Sequence, residues 1–227
     1  MAENMQHWTP RPRPDAVTLE GRYVRLEKLE PRHADGLFAA SATEDADAKF
    51  TWLAEGPPED QASFGAWVDK VSTSTDPIYF AIIDKTTGKV AGRQTLMRID
   101  AANGVVEIGN IYWGPLISRK PAATEALFLF AQYVFDTLGY RRFEWKCNND
   151  NVPSKTAALR IGFQYEGLFR QHLVIKGLNR DTAWFAMIDK DWVKLKAAYQ
   201  AWLAPENFDE SGAQMRRLEE FRADFGA

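Results

Sequence analysis

The chain has 227 residues, and its 28 lysine and arginine residues nearly balance its 31 aspartate and glutamate residues, for a formal net charge of −3. A balanced charge argues against broad binding of nucleic acid, and a single cysteine excludes an internal disulfide or a cysteine-based zinc site. The longest apolar run, at 126–131, is too short to cross a membrane, and the N-terminus has no apolar signal segment. The sequence therefore predicts a soluble, cytoplasmic protein that binds no metal, membrane or nucleic acid.

The two ends of the chain differ from its middle. The first fifteen residues are polar and contain three alternating prolines, a spacing that favours an extended chain. The last 23 residues contain six acidic residues and three arginines, so the whole net charge of −3 lies there. The predicted organisation is an extended arm at 1–15, a main domain at 16–204 and an acidic helical tail at 205–227.

Hydrophobic periodicity divides the main domain into helices and strands. In chain order these elements are strand 17–29, helices 31–42 and 59–71, strands 78–84, 90–99 and 105–113, helix 124–138, strand 143–147, helix 154–161, strands 163–175 and 181–188, and helices 190–203 and about 211–224. Asn103-Gly104 predicts a type I′ hairpin turn between two of the strands. This order predicts an α/β (α+β) fold with a mixed, mostly antiparallel sheet, one parallel strand pair and flanking helices.

The most informative block runs from Val105 to Gly167. Its first strand ends at Gly114-Pro115, and a loop with Arg119 and Lys120 then leads into small residues at the start of an apolar helix. A helix N-terminus presents unpaired N–H groups and a positive dipole end, and small side chains let an anion approach them. The residues alone leave two interpretations open, an anion cradle or an ordinary loop with two solvated bases.

The same block contains Ala123-Thr124-Glu125-Ala126 at that helix start and a second helix that begins Asn151-Val152-Pro153-Ser154 and ends Gly162-Phe163, followed by Glu166-Gly167. With the opening strand and helix from Val17, these motifs resemble the GNAT superfamily of acyl-CoA-dependent N-acyltransferases, in particular its RimJ/RimL-type branch of ribosomal-protein N-terminal acetyltransferases. The resemblance covers 17–188. It departs from the family in the loop, where the family pattern is Arg/Gln-x-x-Gly-x-Gly/Ala. Ser118 occupies the first position of this pattern, and Pro121, which has no N–H, occupies the position of the central glycine.

The resemblance implies the GNAT fold, in which acyl-CoA lies in a cleft where two parallel strands diverge. It implies acetyl-CoA as co-substrate, with the pantetheine along the end of the strand at 105–113 and the diphosphate over the following loop. The implied cofactor-binding residues are Leu116, Ile117, Ser118, Arg119, Lys120, Ala122, Ala123, Thr124, Asn151 and Ser154.

Transfer to an amine requires a base, because amines are mostly protonated near neutral pH. Glu107, on the strand that leads to the loop, is the first candidate, and His172, on a strand expected to wall the acceptor side, is the second. Each also has a structural interpretation, as a strand carboxylate or a packed histidine. Ser154 is the candidate acid for the leaving thiolate, or else a helix cap. Arg180 and Asp181 either shape the acceptor mouth or form a turn.

The resemblance implies acetyl transfer to a primary amine by direct attack in a ternary complex. The acceptor is a small molecule or a protein N-terminus, and a homodimer remains open. Two alternatives also remain open: a non-catalytic acyl-CoA-binding protein with this fold, and an acyltransferase that uses a larger donor such as succinyl-CoA.

Overall fold

The computed structural model describes residues 4–227, which form one eight-stranded sheet with helices on both faces. The strands are β1 (Leu19–Glu20), β2 (Val24–Lys28), β3 (Ile78–Asp84), β4 (Val90–Asp100), β5 (Val105–Trp113), β6 (Arg142–Asn148), β7 (Gln164–Ile175) and β8 (Leu178–Ile188). The α-helices are α1 (Ala34–Ser41), α2 (Ala46–Phe50), α3 (Gln61–Ser72), α4 (Pro121–Gln132), α5 (Val152–Arg160), α6 (Asp189–Trp202) and α7 (Leu218–Phe225). Within this range no helix has the length and apolar character to cross a membrane.

The strands lie in the order β1-β2-β3-β4-β5-β6-β8-β7, and every neighbouring pair is antiparallel except β5 and β6. The parallel pairing runs only from Val105 opposite Arg142 to Ile108 opposite Trp145. Beyond it, residues 109–113 of β5 have no pairing partner in β6. The two strands therefore diverge and leave an open strand edge. The predicted mixed sheet with a splayed parallel pair is confirmed.

The two faces of the sheet are covered by different helices. One face, which includes Val106 and Ile108 of β5, packs against the apolar side of α4 together with α5 and α6. The other face packs α1 and α3 against β3, with Leu37, Phe64 and Val68 buried there. The helices α1 and α3 cover only the β2–β4 half of this face. On the β5–β8 half, the face is formed by polar and aromatic side chains of the strands themselves.

The described part of the N-terminal segment crosses the turn between β4 and β5. The backbone N–H of Arg11 donates to the carbonyl oxygen of Ala101 at 2.9 Å, and the Trp8 indole donates to that of Ala102 at 2.8 Å. The Trp8 ring centroid also lies 4.3 Å from the Arg11 guanidinium carbon. Trp8 therefore docks against the main domain.

The C-terminal segment packs on the outside of α6. Leu218, at the start of α7, is fully buried. The Trp202 indole of α6 donates to the side chain of Gln214 at 2.9 Å, and Arg222 donates to the carbonyl oxygen of Leu159 at the end of α5 at 2.7 Å. These contacts connect the last turn of α5 to the end of the chain.

Several predicted element boundaries are wrong, each for a local reason. The strand predicted at 17–29 is two strands, because the chain turns at Gly21-Arg22 to bring three backbone N–H groups onto the Glu125 carboxylate. The final helix begins at Leu218 rather than near 211, because the Asp209 carboxylate accepts the N–H groups of Ser211 and Ala213 and holds a turn there. The short helix α2 had no sequence signal.

Two further differences concern turns and helix ends. The β4–β5 hairpin is confirmed, but its loop spans 101–104, and only Gly104 of the Asn103-Gly104 pair has a positive φ, so the turn is not type I′. The Asp100 carboxylate instead accepts the Asn103 N–H at 3.0 Å. The helix predicted at 124–138 begins earlier, at Pro121, and its last part, Tyr133–Thr137, is a π-helix.

Candidate active site

The gap between β5 and β6 begins at a distortion in β5. Asn110 has a φ of +47° and lies where the β4–β5 register shifts. This bulge turns the β5 backbone just where its β6 partner is lost. The gap therefore leaves the edge of β5 open. The helices α4 and α5 lie on one side of it, and β7, β8 and α2 lie on the other.

The loop from β5 to α4 is folded by its own backbone. The N–H groups of Ile117 and Ser118 donate to the Gly114 carbonyl at 3.1 and 2.9 Å, and that of Lys120 donates to the Ile117 carbonyl at 3.0 Å. Arg119 adopts a φ of +60° and is exposed, as is Lys120. The loop therefore presents two cationic side chains beside the first turn of α4.

The first turn of α4 contains small residues and lacks one backbone N–H donor. Pro121 occupies the first helical position, where its fixed φ suits the helix but it supplies no N–H. Ala122 and Ala123 follow and are buried. Lys120 precedes the helix and its side chain makes no capping hydrogen bond. The Ala123 N–H donates to the Lys120 carbonyl at 3.2 Å, and the positive dipole end of the helix can attract an anion here.

Arg160 adds a cation to this cradle that the sequence did not identify. It lies in the last turn of α5, and its guanidinium donates to the Thr124 hydroxyl at 3.1 Å while it stacks 5.1 Å from the Trp202 ring centroid. A basic residue in the last turn of a helix is common, because it complements the helix dipole. Its sequence position therefore gave no signal of a link to α4.

Asn151 and Ser154 lie at the start of α5. The Asn151 side chain accepts the Ser154 N–H at 3.1 Å, which makes Asn151 the N-cap. The Ser154 hydroxyl accepts the Trp145 indole N–H at 2.9 Å. Burial raises the pKa of the neighbouring Cys147 thiol, and its hydrogen bond with Ser154 offsets this only in part. Ser154 thus connects the helix cap to the end of β6.

Glu107 is buried between two cations. One carboxylate oxygen accepts from Arg98 at 2.6 Å and the other lies 2.8 Å from the Lys146 ammonium. Lys146 is also 2.7 Å from Glu144 and lies 3.7 Å from the Trp184 ring centroid. The Glu107 side chain is 4% exposed, so its charge is balanced by neighbours rather than by solvent.

His172 lies on the exposed part of β7 and faces β8. Its Nδ1 atom is 3.0 Å from the hydroxyl of the buried Thr182, which also accepts from Arg180 Nε at 3.2 Å. Phe169 stacks on Trp184 with ring centroids 4.4 Å apart. The Asp181 carboxylate holds the backbone of Gln171 at 2.7 Å and has a local role in the hairpin.

The tip of the β7–β8 hairpin reaches across the gap to α2. The Lys176 ammonium donates to the carbonyl oxygen of Phe50 at 3.0 Å, and the Phe50 ring lies 5.1 Å from that of Tyr112 on β5. This contact joins segments 126 residues apart. Sequence reasoning missed it, because neither α2 nor a long-range contact of this kind has a local signature.

Arg93 on β4 holds the backbone of the β5 bulge in place. It is fully buried, donates to the Asn110 carbonyl at 3.0 Å and forms an ion pair with Glu55 in the α2–α3 connection. The Trp67 ring centroid of α3 lies 4.8 Å from its guanidinium carbon. Burial lowers the pKa of Arg93 to about 9. The bulge is therefore tied to the helices that cover the neighbouring part of the sheet.

The sequence and fold of this chain match those of known proteins. A family model described as an acetyltransferase (GNAT) domain matches residues 24–164. The chain belongs to the GNAT family of N-acetyltransferases. The resemblance inferred from the sequence, including its RimJ/RimL-like character, is confirmed. The matched region includes β2 to α5 and therefore the two strands β5 and β6 that border the gap.

Other GNAT proteins support this assignment. A GCN5-related N-acetyltransferase structure from Brucella melitensis has 66% identity and a TM-score of 0.95, with 96% of this chain and 99% of that chain covered. An uncharacterised N-acetyltransferase, p20, of Bacillus licheniformis has 33% identity over 50% of this chain, and YdaF of Bacillus subtilis, named as a candidate ribosomal N-acetyltransferase, has 28% over 46%. The alignments span only 63% and 57% of those two proteins' own lengths.

Proposed function

We propose that this protein transfers the acetyl group of acetyl-CoA to a primary amine. The observation that carries the proposal is the open edge of β5 beside the N-terminus of α4, in a domain of the GNAT family. An unpaired strand edge offers backbone donors and acceptors to an extended, amide-containing chain such as pantetheine. The adjoining helix start offers N–H groups to its diphosphate.

The residues around the helix start fit a diphosphate in charge and size. Arg119 and Lys120 supply exposed cations, and the small side chains of Ala122 and Ala123 put little bulk beside the backbone. Arg160 reaches the same turn through Thr124. We infer that Arg160 offsets part of the donor lost at Pro121. Leu116, Ile117 and Ser118 of the preceding turn would border the pantetheine, and Asn151 and Ser154 the opposite wall.

In the reaction, the amine lone pair attacks the thioester carbonyl carbon, the carbon–sulfur bond breaks and the thiolate leaves. The amine nitrogen must lose a proton, and we assign its acceptance to His172, directly or through water. Histidine commonly changes protonation between pH 5 and 8, and this ring is exposed at the acceptor side. Glu107 is the alternative base, but both of its carboxylate oxygens are already engaged, by Arg98 and by Lys146.

The departing thiolate needs a proton or a hydrogen bond. We propose Ser154 for this role, because its hydroxyl lies at the end of β6 and contacts the Cys147 thiol and the Trp145 indole. A developing negative charge on the carbonyl oxygen requires a donor placed in advance, and a backbone N–H of β5 near the bulge would serve.

The proposed acceptor is a primary amine, and two kinds of molecule can supply it: a small molecule or a protein N-terminus. The Lys176–Phe50 contact closes one side of the acceptor space and favours a small amine. The similarity to YdaF favours the N-terminus of a ribosomal protein as the second candidate.

The test is a thiol-release assay with acetyl-CoA or succinyl-CoA and a panel of small amines and N-terminal peptides. We expect free thiol only when an amine is present, with acetyl-CoA the better donor, and an acetamide product detected by mass spectrometry. Binding of acetyl-CoA without amine-dependent thiol release from any acceptor would support a non-catalytic acyl-CoA-binding protein and contradict the proposal.

A further inference from the structure

Arg180 is a cation on the acceptor side that has no carboxylate partner among residues 4–227. It is half-buried on β8, and its single hydrogen bond in this range runs from Nε to the Thr182 hydroxyl at 3.2 Å. The Nη donors of its guanidinium make no hydrogen bond to the described residues. A half-buried guanidinium with unused donors is available to pair with an anionic ligand.

The nearby cations on β4 and β6 are paired with carboxylates. Arg98 and Lys146 bind Glu107, and Arg93 binds Glu55. Every acidic group on this side of the gap that could reach Arg180 is therefore already engaged by another cation or, like Asp181, by local hydrogen bonds. Arg180 therefore contributes positive charge that no carboxylate among residues 4–227 neutralises, and the Lys176 ammonium at the hairpin tip, held by the Phe50 carbonyl, adds to it.

Arg180 also lies beside the gap itself. Burial lowers its pKa, and the Cys147 thiol and the Glu107 carboxylate oppose this shift. Those two groups belong to the end of β6 and to β5, on the two sides of the point where the strands diverge. Arg180 shares the Thr182 hydroxyl with His172, so the guanidinium and the imidazole are neighbours.

We infer that Arg180 binds an anionic group, a carboxylate or a phosphate, carried by the acceptor within a few atoms of its amine. A guanidinium presents paired donors in a plane that matches either group. The CoA diphosphate is not the expected partner, because its cradle at the start of α4 has its own cations in Arg119, Lys120 and Arg160. This inference rests on the proposed function and specifies its substrate class.

The test uses matched acceptor pairs with acetyl-CoA as donor. L-alanine is compared with L-alaninamide, and O-phosphoethanolamine with ethanolamine, so that each pair differs in one anionic group. The ratio of kcat/KM within a pair is measured for the natural chain, for Arg180→Gln and Arg180→Lys, and for Arg170→Gln as a control on the exposed part of β7. Comparing variants by this ratio cancels the different basicities of the amines and any loss of folded enzyme.

We expect Arg180→Gln to lower the charged-to-neutral ratio at least tenfold in one pair, since charge-assisted hydrogen bonds are lost. Arg180→Lys should give an intermediate ratio and Arg170→Gln no change. The pair that responds identifies carboxylate or phosphate. If the amines react but the ratio in Arg180→Gln stays within twofold of the natural chain, the inference is wrong and the proposed function stands. If no amine releases thiol, both fail.

Discussion

Glu125 shows how one side chain positions a strand that is distant in the sequence. Its buried carboxylate accepts the N–H groups of Arg22, Tyr23 and Val24 at 2.7, 2.6 and 2.8 Å. A Cβ atom at Gly21 would collide with this carboxylate, so the turn requires glycine there. The motif around Glu125 was recognisable in the sequence, but its three partners about a hundred residues earlier were not.

Replacing Glu125 with glutamine keeps its shape and removes the charge. We expect Glu125→Gln to lower the free energy of unfolding by about 2 kcal/mol, because hydrogen bonds to a charged acceptor weaken and the new NH2 group faces donors. Urea denaturation measures this loss. Glu20→Gln, at an exposed ion pair with Lys85, is the control and should change stability by less than about 1 kcal/mol. Equal effects at both sites would contradict this role of Glu125.

The two candidate bases, His172 and Glu107, have different surroundings. Substitutions at the two positions should therefore lower activity to different extents. His172→Ala should lower kcat about a hundredfold, because the proton acceptor is lost. Glu107→Gln should lower activity less, because a paired carboxylate orients Arg98 and Lys146. The reverse pattern would assign the base to Glu107. Full activity in both variants would show that neither residue takes the proton.

At the scale of single elements, the start of α4 departs from the family loop at Pro121. Pro121→Ala restores one backbone N–H in the first turn of the helix. If the CoA diphosphate sits there, the dissociation constant for acetyl-CoA should fall about fivefold, since a net hydrogen bond contributes about 1 kcal/mol. Titration calorimetry measures it. An unchanged affinity would indicate that the diphosphate does not contact this turn.

Arg160 tests the same turn from α5. Arg160→Gln should weaken acetyl-CoA binding about tenfold, because a charged hydrogen-bond donor near the phosphates is lost. Lys155→Gln on the same helix, where Lys155 binds Asn149, is the matched control. Binding of an acetyl-pantetheine without phosphates should be the same in both variants. A comparable loss with that analogue would indicate damage to α5 rather than loss of a phosphate contact.

The elements were predictable where the local pattern determines them. The strand at Ile78–Asp84 follows from a short apolar run, the strand at Val105–Trp113 from its β-branched and aromatic residues, and the cap at Asn151 from its residue type. The break at Gly21-Arg22 and the helix α2 were not predictable, since the first depends on a distant carboxylate. The site shows the same division: the loop and helix starts were visible in sequence, whereas Arg160 and the Lys176–Phe50 contact depend on tertiary packing.

At the scale of the whole molecule, an ion pair connects the edge strand of the sheet to its centre. Arg142 on β6 binds both carboxylate oxygens of Glu166 on β7, one of them at 2.9 Å, across the intervening strand β8. The hydrogen bond from Arg142 holds the pKa of Glu166 below its ordinary value of 4.5, although partial burial opposes this. The folded state therefore favours the charged form of Glu166.

The sign of the pH dependence follows from this lowered pKa. The stabilisation is complete above the ordinary glutamate pKa and is lost as the pH falls through the lower folded value. Because Glu166 is substantially exposed, solvent screening limits the contribution to below about 1 kcal/mol. Glu166→Gln should lose less stability between pH 7 and pH 3 than the natural chain, whereas Glu219→Gln on α7 should not. Identical acid dependence in all three would contradict this contribution.

A cavity of about 360 Å³ lies at the beginnings of β5 and β6, at the opposite end of the parallel strand pair from the gap. It is bordered by Trp8, Val105, Arg141 and Asp189. We propose that acetyl-CoA binds in the gap, because the open strand edge and the cationic helix start lie there.

Amide hydrogen exchange with and without acetyl-CoA tests this assignment most directly. The expected result is slower exchange in residues 109–124 and at the start of α5, with no change around Trp8 and Asp189. Slower exchange confined to the cavity at the other end of the strands, or no change at residues 109–124 when acetyl-CoA is bound, would contradict it.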